Sequence, residues 1–97
     1  MKLFKDENLN EEVRSIEFGK IMAGKSSVCR YYILNESDAH VTNMQFTMDH
    51  PELEIVSKPV QMKPKEVCVF EVKWNALVDV KRGLKSNIGI EYDEEYS

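Results

Sequence analysis

Two stretches of the chain alternate apolar and polar residues with a period of two, the signature of strands that bury one face. Over residues 28–34, Cys29, Tyr31 and Ile33 fall on one face and Val28, Arg30, Tyr32 and Leu34 on the other. The first set is the core face, because the second must keep Arg30 in water. Over residues 66–74, Cys68, Phe70, Val72 and Trp74 share an inner face, and Val67, Val69, Glu71 and Lys73 an outer one. Asn35-Glu36-Ser37-Asp38 ends the first of these strands, since Asn, Ser and Asp side chains bond their own backbone in turns. The apolar pattern restarts at Val41, yet Met44 and Phe46 sit on the opposite parity. One extra residue near Thr42-Asn43, a β-bulge, brings them to a common face and completes a hairpin over 26–47.

Weaker alternation fills in the rest. Ile16 and Phe18 mark a first strand over 14–18, and Gly19 and Gly24 punctuate the loop that follows. Leu53 and Ile55 form a short strand with Glu52 and Glu54 pointing away, and Val60 and Met62 complete it. Pro59 places that strand at a sheet edge, where a missing donor does no harm. Residues 75–85 form a long connection, and Ile88 and Ile90 define a last strand over 87–92. Residues 1–13 read as an N-terminal arm with Leu3 and Phe4 as its apolar anchor, and 93–97 as an acidic C-terminal tail. The expected fold is all-β, a seven-strand immunoglobulin-like sandwich over 14–92. On this reading, deleting residues 1–12 leaves the fold intact.

Several short motifs resemble a known superfamily. Glu17-Phe18-Gly19-Lys20, Gly24-Lys25, Tyr31 to Asn35 with Ser37-Asp38, Val41 and Phe46 come first, followed by Pro59, Pro64-Lys65-Glu66 and the strand over 67–74. Together they resemble the immunoglobulin-like domains of the ASH (Hydin-type) and major sperm protein superfamily. The resemblance implies a seven-strand sandwich that binds or scaffolds other proteins and has no catalytic residues. Small standalone domains of this kind are frequent among phage structural proteins. By that resemblance the leading expectation is a capsid decoration protein or a neck or tail protein. The alternative is a cytoplasmic adaptor of the ASH or major sperm protein type that grips an acidic peptide.

Composition narrows the classes further. A length of 97 residues fits one such domain. A net charge of −4 argues against nucleic acid and anionic membranes as partners. No apolar run approaches the length of a membrane span, and Met1-Lys2-Leu3-Phe4-Lys5-Asp6 lacks the apolar core of a leader. The expected location is therefore a virion if the protein is viral, otherwise a cytoplasm, and not the secreted space. Short charged ends on a chain this small fit a compact product held by neighbours in a large particle.

Candidate chemistry is sparse. Cys29 and Cys68 read as small buried hydrophobes in a reducing compartment. His40 and His50 flank a strand, ~30 Å apart if extended, too far to share a metal with Asp49. No nucleophile elbow, Gly-rich phosphate loop or carboxylate cluster is present. No catalytic residue, metal or cofactor is expected, and Asn35-Glu36-Ser37 reads as a turn rather than a glycosylation site.

Charge is more informative. Lys58, Lys63, Lys65, Lys73, Lys81, Arg82 and Lys85 outnumber Glu66, Glu71 and Asp79 over 58–85, whereas Glu91, Asp93, Glu94 and Glu95 crowd the end. The expected partners are proteins: capsid, neck or tail subunits, or copies of the chain joined head to tail. Leu3 and Phe4 are expected to enter a neighbour's pocket or sheet edge. Lys58, Lys63, Lys65, Lys81, Arg82 and Lys85 are expected to form a basic contact surface.

Overall fold

The computed structural model describes residues 1–19, 24–75 and 84–96. The alternating stretches become strands β1 (Lys2–Phe4), β2 (Glu12–Val13), β3 (Ser15–Phe18), β4 (Ser26–Leu34), β5 (His40–Met48), β6 (Leu53–Ser57), β7 (Val67–Asn75) and β8 (Leu84–Glu95). They make a five-stranded sheet of order β2-β1-β4-β7-β6 and a three-stranded sheet of order β3-β8-β5. All the pairings are antiparallel, and no helix occurs among the described residues. The order β1-β4-β7-β6 repeats the A-B-E-D sheet of an immunoglobulin constant-type sandwich, and β5-β8 its C-F pair. β3 takes the place beside β8 that strand G holds in that fold.

The core is the set of inward faces read from the sequence. Tyr31, Ile33, Phe70, Val72 and Trp74 from the larger sheet meet Ile16, Phe18, Val41 and Met44 from the smaller one. Two aromatic pairs bridge the layers: Phe18 with Trp74, centroids 5.7 Å apart, and Phe46 with Phe70 at 5.1 Å. The Trp74 indole N–H donates to Glu52 Oε2 at 2.8 Å, so the buried ring leaves no orphan donor. The bulge lies where the parity demands it. Register shifts between Thr42 and Gln45, and Asn43 takes the left-handed conformation with φ 52°, which Asn tolerates better than most residues.

Four expectations are corrected. Among the described residues the strands number eight, not seven. Residues 1–13 are not a free arm: β1 pairs with β4 through Leu3 opposite Ile33 and with β2 through Leu3 opposite Val13. The anchor Leu3 is in the protein's own core. Deleting residues 1–12 would strip β1 and a core side chain, so it is expected to unfold or gravely weaken the sandwich. Residues 93–95 are no loose tail, because they extend β8 opposite His40, Val41 and Thr42. Finally, Val60 and Met62 do not complete β6. They cross to the other sheet, where Met62 bridges to Val41 and is buried.

Tyr31 does more than fill the core. Its hydroxyl accepts the Glu17 N–H at 3.0 Å and donates to the Glu17 carbonyl at 3.3 Å. Both are backbone groups of the edge strand β3. Burial pushes the Tyr31 phenol above its ordinary range, which keeps the proton needed for donation. Tyr31→Phe is expected to lower unfolding free energy by about 1 kcal/mol, since Glu17 can recruit water in place of the hydroxyl. Urea denaturation of both proteins would check it; a midpoint shift of zero would show that the clamp contributes nothing.

Candidate interaction surface

The chemistry-bearing residues are dispersed. Cys29 opposes Val72 while Cys68 opposes Ile33, four positions along the same strand pair, or ~13 Å. Both are free, and burial pushes both thiols upward, away from a ready thiolate. His40 opens β5 and His50 lies beyond its end. The His50 Nδ1 accepts the Glu52 N–H at 3.3 Å. Asp49 caps the end of β8, accepting from Ser86 Oγ at 2.7 Å and Asn87 Nδ2 at 3.1 Å. The Ser86 hydrogen bond leads in holding its carboxyl below the ordinary value. Among the described residues no group of three His, Cys, Asp or Glu side chains gathers as a metal site. A groove of about 360 Å³ runs past His40, Met62 and Lys63, but its Glu66 carboxylate is occupied by the Lys63 N–H at 2.8 Å.

The described members of the expected basic surface are not gathered either. Lys58 lies over the Phe46 ring, 5.8 Å from its centroid. Lys65 reaches across to Asp38 at 3.5 Å and to the Glu36 carbonyl. Lys85, on β8, faces Glu17 at 3.9 Å. Lys63 adjoins Met62, which bridges to Val41, and Val41 pairs with Glu94. Lys63 therefore sits near the far end of β8 from Lys85, about 30 Å away along the strand. Lys81 and Arg82 lie outside the described residues. The described lysines of this set are spread over the molecule, and two of the four, Lys65 and Lys85, answer acids of the same chain. Leu3 is buried, and so is Phe4, which pairs opposite Tyr32.

The outward faces of the two sheets differ sharply. On the smaller sheet, Glu17, Lys85, Asn87, Gln45, Glu91 and Asp93 make an ordinary solvated surface, all exposed. On the larger sheet the outward rows of β4 and β7 are neighbours: Tyr32 opposes Val69, and Leu34 opposes Val67. Val28, Val56, Val67 and Val69 remain 52%, 54%, 41% and 37% exposed. Among the described residues, four of the six large apolar side chains that stand exposed lie on this one face. Sequence parity assigned Val28, Tyr32, Leu34, Val67 and Val69 to outward faces one strand at a time, and left Val56 unassigned. Their merger into one surface depends on the β4–β7 register, which no local pattern reveals.

The sheet edges, in contrast, are blunted. β2 has two residues. β6 carries a bulge between Ile55 and Ser57 and runs out toward Pro59. β5 is covered by residues 60–62, through Val41 and Met62 exchanging N–H···O bonds of 2.9 and 2.8 Å and Met44 donating to Val60 at 3.2 Å. β3 has its Glu17 groups occupied by Tyr31. Short strands, bulges and covering segments are how sheets avoid pairing edge to edge. A partner is therefore offered the face of the larger sheet rather than a strand edge.

No family model, curated protein or solved structure matches this chain.

Proposed function

We propose that this protein is a non-enzymatic structural subunit that binds other proteins through the outer face of its larger sheet. The observation that carries this reading is the exposed set Val28, Val56, Val67 and Val69, beside the half-buried Tyr32 and Leu34, on one face while the other sheet's face is polar. Exposed apolar area concentrated in one patch and rimmed by charge is the mark of a protein contact. The concrete form is a small phage structural protein, on the capsid or at the neck or tail, which the resemblance to small immunoglobulin-like domains supports. The adaptor alternative would need a gathered basic surface, and the described lysines are apart.

A photoreactive residue placed singly at Val69 or at Thr47, in cells making the protein in its natural setting, tests the proposal. Val69 is expected to yield protein adducts, and Thr47, on the polar sheet, far fewer. Equal yields, or no protein adduct at Val69, would remove the basis for the reading.

A further inference from the structure

The outer face of the larger sheet has a self-complementary layout. Its two central strands, β4 and β7, have nine residues each, and Arg30 opposes Glu71 at the midpoint of both. Toward one end lie the apolar pairs Tyr32–Val69 and Leu34–Val67; toward the other lie Val28 opposite Lys73, with Glu54 beyond on β6. Lys2, Arg30 and Lys73 share this face with Glu12, Glu54 and Glu71, so it has no net charge. Such a face gives no electrostatic preference for an acidic or a basic partner. It does suit a partner with the same mixed pattern.

We infer that the occupant of this face is a second copy of the chain, packed sheet against sheet about a two-fold axis running along the strands between β4 and β7. This rests on the reading of the face as a protein contact. An axis in that direction keeps each position at its own level along the strands and exchanges β4 for β7. Arg30 of one copy then lies over Glu71 of the second copy, and Tyr32 and Leu34 over its Val69 and Val67. An in-plane axis across the strands would instead lay the apolar end on the charged end. Aligned sheets cross at about 30°, yet Arg30 and Glu71 stand at the centre of rotation, where that turn displaces them least. The Arg30 and Glu71 side chains are already 3.6 Å apart within one copy, so two copies form an alternating group of four charges.

The strands of this sheet are two, three, nine, nine and five residues long and about 4.8 Å apart, so the face presents roughly 450 Å², the size of a small, weak contact. A two-fold contact uses the same patch on both chains and closes on itself. The blunted edges among the described residues disfavour growth from that pair into an open fibre.

The test is sedimentation of the full chain at rising concentration, together with Arg30→Glu, Glu71→Arg and their equimolar mixture. Wild type is expected to reach twice the 11.3 kDa chain mass. Each variant alone places like charges over one another and is expected to associate more than about a hundredfold more weakly. Mixed, they present opposite charges at both positions and are expected to regain the two-chain mass as a heterodimer. Val69→Lys serves as a second variant and is expected to be monomeric with a cooperative melt. A wild type that stays at one chain mass overturns the inference, and so do charge variants that dimerise alone. If the chain is monomeric while a photoreactive residue at Val69 still captures a different protein, the face remains a contact site and only the second copy is wrong. If it is monomeric and captures nothing, both readings fall.

Discussion

Asn35→Asp is expected to destabilise the fold more than Asn35→Ala at neutral pH, and the gap is expected to close in acid. Asn35 is 2% exposed and ties three segments together. Its Nδ2 donates to the Ala39 and Lys63 carbonyls, both at 2.9 Å. Its Oδ1 accepts from Ser37 Oγ at 2.7 Å and from the Ser37 N–H at 3.2 Å. Its own N–H donates to Glu66 at 2.9 Å. One amide thus shapes the β4–β5 turn and pins the 59–66 connection against it. Alanine leaves two carbonyls and one N–H without these partners, which costs about 2–4 kcal/mol. Aspartate keeps the shape but turns both donors into an anionic oxygen facing two carbonyls, so the penalty rises to about 3–5 kcal/mol. The charged form is disfavoured in the fold, which raises the folded-state pKa above the unfolded value of about 3.9. The penalty is therefore complete above the folded pKa. Its charge-dependent part shrinks as pH falls through that value and is gone below the unfolded one, where a protonated carboxyl donates to one carbonyl and leaves the other unpaired. Denaturant midpoints of the three proteins across this range would check the order. If Asp and Ala cost the same at every pH, the carbonyl contacts are not what holds the turn.

Asn35 also shows how far the sequence can be read. Asn35 to Asp38 was legible as a turn, because such side chains bond nearby backbone. The bond to the Lys63 carbonyl, across 28 residues, was not, since nothing local records it. The same divide runs through the fold. β4 and β7 are long enough for alternation to name their inner faces, and the mismatch of Val41 with Met44 and Phe46 located the bulge. β1 has three residues, too few to show a period, and its charged surroundings suggested an arm. The end of β8 carries Glu91, Asp93, Glu94 and Glu95, a composition that argues against a strand. Its pairing with His40–Thr42 and the Asn43–Asp93 hydrogen bond of 2.8 Å hold it extended. The outer face proposed as a contact was the least legible feature. Tyr32, Leu34, Val67 and Val69 were each placed outward, but only long-range register makes them adjacent. The described lysines, Lys58, Lys63, Lys65 and Lys85, do not gather for the opposite reason: closeness in sequence does not survive a chain that crosses between sheets.

Substitution at Phe70 and at its neighbour Val69 is expected to separate folding from assembly. Phe70 is fully buried and stacks on Phe46 across the sandwich. Phe70→Ala removes that contact and leaves a cavity between two sheets that cannot collapse freely, at a cost of about 3–5 kcal/mol. Phe70→Asp adds an unpaired buried charge and is expected to abolish the cooperative transition altogether. Val69 is one residue away and points the other way, 37% exposed. Val69→Thr keeps the β-branched shape that suits a strand, so in dilute protein its effect is expected within about 0.5 kcal/mol. At high concentration the two variants should behave differently again. A self-associating wild type melts at a higher temperature as protein concentration rises; Val69→Thr is expected to lose part of that dependence, and Phe70→Ala to keep it while melting lower throughout. The measurement is a set of thermal melts over a wide concentration range. A concentration-independent wild type would remove the second copy from the face, whereas a large loss at Val69 in dilute protein would mean the outer row is itself part of the folded core. Side-chain period two makes the contrast sharp: a step of one residue moves the probe from the layer that holds the sandwich together to the surface it presents.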